Sequence, residues 1–138
     1  MRPAAQTVLI VDDDVALRDA FARALEHVGY EVVAVTGTPA VVDLIVAHQP
    51  GMILLDNHMP EASGIELIRL IRDRWSRDEV PIVLISGSSL QGEIDQALDA
   101  GANDVRRKPV ELAELISTVR GALQEPPSPD PEQEGPVS

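Results

Sequence analysis

Four short runs of aliphatic and β-branched residues constrain this chain more than any other feature. They are TVLIV at 7–11, EVVAV at 31–35, MILL at 52–55 and PIVLI at 81–85. Their apolar character is nearly continuous rather than alternating, which suits strands covered on both faces of a parallel sheet. A fifth, weaker run is DVRR at 104–107. Between the runs, apolar residues recur every three and four positions, as on one face of a helix. Leu17, Phe21, Ala24, Leu25 and Val28 make the first stripe, and Val41, Leu44, Ile45 and His48 the second. Ile65, Ile68, Ile71 and Trp75 make the third, and Leu90, Ile94, Ala97 and Leu98 the fourth. Leu112, Leu115, Ile116, Val119 and Leu123 make the fifth. Five strand–helix units with short links predict an α/β domain, a doubly wound five-stranded parallel sheet with right-handed crossovers.

At 138 residues the chain is expected to form one domain. Hydrophobic residues make up 44%, enough to bury a core. Composition shifts near residue 124. The segment 125–138, EPPSPDPEQEGPVS, has five prolines, four acidic residues and a single large apolar residue, Val137. Such a segment cannot bury enough surface to offset its ordering entropy, so it is expected to be a disordered acidic tail behind a domain at 1–124.

Formal net charge is −12. An acidic surface repels phosphate backbones and anionic lipid, so neither nucleic acid nor a membrane is an expected partner. No apolar run approaches the roughly 20 residues of a membrane span, and the first run is too short for a signal-peptide core. The chain has no cysteine, which excludes disulfides, thiolate metal sites and a thiol nucleophile. A soluble cytoplasmic protein is the expectation.

In doubly wound sheets, ligands sit outside the carboxyl ends of the strands. The residues expected there are Asp12, Asp13 and Asp14 after the first strand, then Thr36 and Gly37, then Asp56, Asn57 and His58, then Ser86, Gly87 and Ser88, then Lys108 and Pro109. Each has an ordinary reading. Asp13 or Asp14 suits a helix N-cap, Asp56 before Met-Pro suits a turn, and Ser86 suits a cap for the helix near Leu90. Lys108 suits an exposed surface, with Pro109 opening the last helix. Their joint occurrence at strand ends is what points to a site.

Carboxylates about 4–5 Å apart repel by a few kcal/mol at an effective dielectric near 20, so a positive partner or a bound proton must offset them. A hard divalent cation suits this: Mg2+ takes one or two carboxylates, keeps waters and completes its shell with phosphate oxygens. A lysine ammonium grips phosphate as a point charge, and a serine hydroxyl can donate to it. An aspartate carboxylate can be the nucleophile that forms an acyl phosphate. The set therefore suits transfer of a phosphoryl group onto an aspartate.

The ordered motifs VLIVDDD, LLDNHMPEASG, VLISG and GANDVRRKP resemble the response-regulator receiver domain of two-component signalling over roughly residues 6–124. The resemblance implies a flavodoxin-like (βα)5 fold of strand order 2-1-3-4-5, as in stand-alone chemotaxis regulators. It implies Asp56 as phosphoacceptor, with Mg2+ (or Mn2+) held by Asp12, Asp13, Asp56 and the backbone carbonyl of His58. It implies Ser86 as a switch hydroxyl, Lys108 as the cation that pairs with the phosphoryl oxygens, and a cis peptide before Pro109. The implied partners are a sensor histidine kinase or phosphotransfer protein and a downstream protein target. The readout surface would be the fourth helix, fifth strand and fifth helix, where homodimers are common in the family.

The sequence departs from that pattern at three places. Val105 stands where an inward-rotating Tyr or Phe is usual. Arg106 and Arg107 follow where aliphatics are usual; edge protection or a local ion pair is the expected role, an inter-subunit contact the alternative. Ser63 stands where aspartate is frequent. His58 and Ser88 occupy positions that in the family influence water attack on the acyl phosphate. Two other readings remain. One resembles haloacid dehalogenase-like phosphatases, with Asp12 as nucleophile and Asp14 as acid/base. The other is a receiver-fold interaction module that takes no phosphate.

Overall fold

The computed structural model describes residues 6–36, 40–57, 63–87 and 91–123. The tail expected at 125–138, and with it His58, Gly37, Ser88 and Leu90, lies outside the described residues. Five strands form one sheet: β1 (Thr7–Val11), β2 (Glu31–Val35), β3 (Met52–Asp56), β4 (Ile82–Ser86) and β5 (Asp104–Arg107). All the pairings are parallel and the order is β2-β1-β3-β4-β5, as the resemblance implies. Helices α1 (Val15–His27), α2 (Val41–His48), α3 (Gly64–Arg72), α4 (Gln91–Ala100) and α5 (Leu112–Leu123) link and follow them.

The near-continuous apolar runs are explained by two cores, one on each face of the sheet. On one face Leu9, Val11, Ile53, Leu55, Ile82 and Leu84 pack with Val41 and Ile45 of α2, Ile68 and Ile71 of α3 and Ala97 of α4. On the other, Val8, Ile10, Leu54, Val83 and Ile85 pack with Phe21 and Leu25 of α1 and Leu115 and Val119 of α5. Every residue of β3 and β4 is buried. Each fully buried aliphatic side chain contributes roughly 1.5–3 kcal/mol before entropy is set against it. β2 differs from the expectation: its run is equally apolar, but Val32 to Val35 are only half-buried because the strand lies at an edge.

Local chemistry sets the helix ends. α3 opens with a capping box in which Ser63 Oγ accepts from Glu66 N–H and the Glu66 carboxylate accepts from Ser63 N–H. Gly64 is required where α3 meets β3, since a Cβ there would lie 2.9 Å from both Asn57 Cα and Asp56 O. α3 ends at Arg72, so Trp75 lies beyond the helix its spacing predicted; it is half-buried against the core, with the Arg74 guanidinium 5.1 Å from its ring centre. In α4 only Ala97 is buried, and Leu98 faces solvent rather than completing the stripe. Pro109 precedes α5 by three residues and does not open it.

Candidate functional site

The sheet brings the carboxyl ends of β1, β3, β4 and β5 side by side. Val11 pairs with Leu55, so Asp12 leaves β1 level with Asp56 at the end of β3. Asp56 pairs with Ile85, and Ser86 with Arg107, so Ser86 and Lys108 follow at the same end. Asp56 and Ser86 are the last residues of their strands rather than loop residues, which sets aside the turn reading of Asp56. The backbone continues the ladder, with Asn57 N–H donating to Ile85 O at 3.0 Å and Lys108 N–H to Ser86 O at 2.8 Å.

The side chains converge. Lys108 Nζ donates to Asp56 Oδ1 at 3.0 Å, closing a contact between residues 52 positions apart. Asp56 is 4% exposed and Asp12 3%, and Ser86 is buried between the strands that carry Asp56 and Lys108. Asp13 is half-buried. Asp14 is exposed and caps α1, its Oδ1 accepting from Leu17 N–H at 3.1 Å. That engages in the helix cap the carboxylate that the phosphatase reading needs as acid/base. Thr36 is exposed and takes no part. The Lys108–Pro109 peptide is cis.

Electrostatics single out Asp12. Burial pushes its carboxyl above the usual aspartate value, and the neighbouring charge of Asp56 adds to this. The Asp14 backbone N–H, donating to Asp12 Oδ1 at 2.8 Å, and the Lys108 ammonium oppose the shift without cancelling it. Among the described residues, the two buried carboxylates of Asp12 and Asp56 face one ammonium, that of Lys108, so negative charge is in excess there. The donor set fits a hard divalent cation. No three acidic or imidazole side chains stand together to hold an ion among the described residues. Mg2+ needs only one or two carboxylates and fills its remaining positions with water and phosphate oxygens.

Asn57 was legible only as a neighbour of Asp56. It is 5% exposed, and its Oδ1 has no hydrogen-bond partner. The sequence signal was its position, one polar residue beyond a buried strand. Val105 is half-buried against the core on the α3–α4 side, as a small side chain fits there. Arg106 pairs locally, its Nε 3.0 Å from Asp104 Oδ2 and its Nη1 3.5 Å from Glu114 Oε2.

Comparison with known proteins gives a consistent outcome. Residues 8–120 match the response regulator receiver domain family. The phosphate regulon transcriptional regulatory protein PhoB of Pseudomonas aeruginosa is 34% identical over 119 residues, which cover 86% of this chain and 52% of that protein. The response regulator MprA of Mycobacterium sp. strain KMS is 37% identical over 131 residues, covering 95% of this chain and 54% of that one. The chain thus spans about half the length of the curated relatives it matches. Among solved structures, a CheY-like response regulator receiver domain protein from Methanospirillum hungatei JF-1 aligns with a TM-score of 0.77 at 26% identity. That alignment covers 88% of this chain and 95% of the other.

Proposed function

The chain belongs to the response regulator receiver domain family, and from that premise we propose that it is a phosphorylation-dependent signalling switch with Asp56 as the phosphoacceptor. Receiver domains are signalling proteins of two-component systems rather than enzymes that turn over a metabolite. The observation that carries the assignment to Asp56 is the 3.0 Å contact from Lys108 Nζ to its buried carboxylate.

The donor is a phosphohistidine of a sensor histidine kinase or phosphotransfer protein, or a small acyl phosphate, met in the cytoplasm. An Asp56 oxygen forms a bond to phosphorus as the phosphorus–nitrogen bond of phosphohistidine breaks and its pair leaves on the imidazole; with an acyl phosphate the phosphorus–oxygen bond breaks and a carboxylate leaves. As the family resemblance implies, Mg2+ would be held by Asp12, Asp13 and Asp56 with the His58 carbonyl, one or two of the carboxylates directly and the rest through water. It would supply positive charge against the carboxylates and the incoming phosphoryl group. Lys108 transfers its ion pair from the Asp56 carboxylate to a phosphoryl oxygen. Ser86 donates its hydroxyl to another. Phosphorylation turns the singly charged Asp56 carboxylate into an acyl phosphate that carries close to two negative charges, and drawing Ser86 and Lys108 inward biases the loop after β4 and the face made by α4, β5 and α5. That face, altered, is what a downstream protein reads.

The test is incubation with acetyl phosphate and Mg2+ followed by intact-mass measurement. Wild-type protein gains one phosphoryl group, and Asp56→Asn gains none. Uptake by Asp56→Asn overturns the assignment in favour of another acceptor, and none by the wild type with any of several donors leaves a fold used only for binding.

A further inference from the structure

α4 is held very differently at its two ends. Its last turn carries no basic residue and contains Asp99, so the helix itself supplies nothing to offset the partial negative charge of its terminal carbonyls. Two arginines from outside the helix do so. Arg72, at the end of α3, donates from Nε to Gly101 O at 2.9 Å. Arg77, in the connection to β4, donates from Nη2 to Leu98 O. Asn103 locks both. Its Oδ1 accepts from Arg72 Nη2 at 2.9 Å and from Ile82 N–H at 3.0 Å, and its Nδ2 donates to Arg77 O.

Gly101 makes the close approach possible. Its φ is +125°, and a Cβ there would come within 2.5 Å of Arg72 Cγ. The same proximity has an electrostatic cost. Burial lowers the Arg72 guanidinium below its usual value, and the charge of Arg77 adds to this.

The amino-terminal half of α4 is less buried than its end. Gln91, Gly92 and Asp95 are exposed, and no residue before Ala97 is buried. Glu93 Oε1 is buried there without a hydrogen-bond partner, an arrangement that favours any movement returning it to water.

We propose that Arg72 and Arg77 are positioning residues that pin the carboxyl end of α4, so that the switch helix pivots about Leu98–Asn103 and swings at Gln91–Asp95 rather than sliding as a unit. The inference rests on the phosphorylation reading for the swing, but the pin itself is independent of it. Toward the site, no described residue of α4 before Ala97 is buried; at the far end, the helix is tied to the frame of α3 and β4.

Hydrogen–deuterium exchange on the full chain tests both parts, with beryllofluoride and Mg2+ as the phosphoryl mimic. In unloaded protein, Arg77→Ala speeds amide exchange across residues 97–103 by roughly tenfold, the scale of losing one charge-assisted hydrogen bond, and Arg77→Lys restores part of it. Unchanged exchange in Arg77→Ala removes the pin. In loaded wild-type protein, exchange changes at 91–95 and stays constant at 97–103, whereas in loaded Arg77→Ala the change extends to both. Equal change along all of α4 in the wild type overturns the pivot. Absence of a beryllofluoride adduct, read separately by fluorine NMR, counts against the phosphorylation reading and not against the pin.

Discussion

At the carboxyl end of the sheet, Asp12 and Asp56 are 3% and 4% exposed and, among the described residues, face a single ammonium. At the amino end, Arg72 and Asn103 place their polar groups on five partners: Gly101, Trp75, Ser76, Ile82 and Arg77. Both ends carry charge next to buried strands. One is closed within the protein, and at the other the described carboxylates outnumber the cations. A group left short of a partner costs stability unless a ligand supplies it, so the open end is where binding has something to gain. Substitutions at the two ends should therefore move stability in opposite directions.

The largest effect is expected at the closed end. Asn103→Ala removes the acceptor shared by Ile82 N–H and Arg72 Nη2 and the donor to Arg77 O. Leaving those groups unpaired should cost about 2–3 kcal/mol, read as a lower denaturation midpoint at unchanged m-value. Phosphoryl uptake from acetyl phosphate should persist, because the residue lies at the opposite end of β5 from Lys108. If Asn103→Ala is as stable as the wild type, the closed network contributes nothing and the contrast fails from that side.

Asp12→Asn should act with the opposite sign. Asparagine keeps an oxygen to accept from Asp14 N–H but removes the repulsion of Asp56. Without divalent cation, the variant should be more stable near neutrality by on the order of 1 kcal/mol after screening. The pH dependence follows from linkage. A carboxyl whose folded value lies above its unfolded value contributes stability that is present below the unfolded value and lost as pH rises through the folded value. The wild type should therefore fall behind Asp12→Asn across that window and remain behind at neutral pH. Added Mg2+ should raise the melting temperature of the wild type and leave that of the variant nearly unchanged. Mg2+ affinity should weaken as pH drops into the same window, since a protonated Asp12 cannot ligate. A wild-type protein more stable than Asp12→Asn in the absence of metal would mean that the open end is not short of positive charge.

The two ends were unequally legible in the sequence. The open end was readable because its chemistry sits in short motifs at the ends of strongly apolar runs: Asp12 after VLIV, Asp56 after MILL, Ser86 after IVLI. Convergence of those residues at one end of the sheet followed from parallel pairing, whereas the strand order came from the family resemblance. The closed end was not readable, because Arg72, Arg77 and Asn103 look like ordinary surface residues and meet only through contacts of 26 to 31 positions in sequence. Periodicity also overran at Trp75 and Leu98. An apolar residue at helical spacing does not show whether the helix has already ended, as before Trp75, or whether its neighbour leaves that face open, as at Leu98. The half-exposed state of β2 was hidden for a related reason, since EVVAV reads like an interior strand and only the topology makes it an edge.

The smallest effect is expected at Arg106, which belongs to neither end. It pairs with Asp104 and Glu114 on the outer strand, and all three side chains are about two-fifths exposed. Exposed pairs of this kind gain little over solvation, so Arg106→Ala should change stability by no more than about 0.5 kcal/mol. Its consequence should lie in association. β5 carries Arg106 and Arg107 along an edge, and charge on an edge strand opposes pairing with another sheet. β2, the other edge, carries Val32, Val33, Ala34 and Val35 without such charge. If the arginines protect β5, Arg106→Ala should self-associate more readily than the wild type in sedimentation velocity at high protein concentration. If Arg106 instead joins subunits, the variant should shift towards monomer, and that outcome would assign the outer strand to an interface rather than to protection.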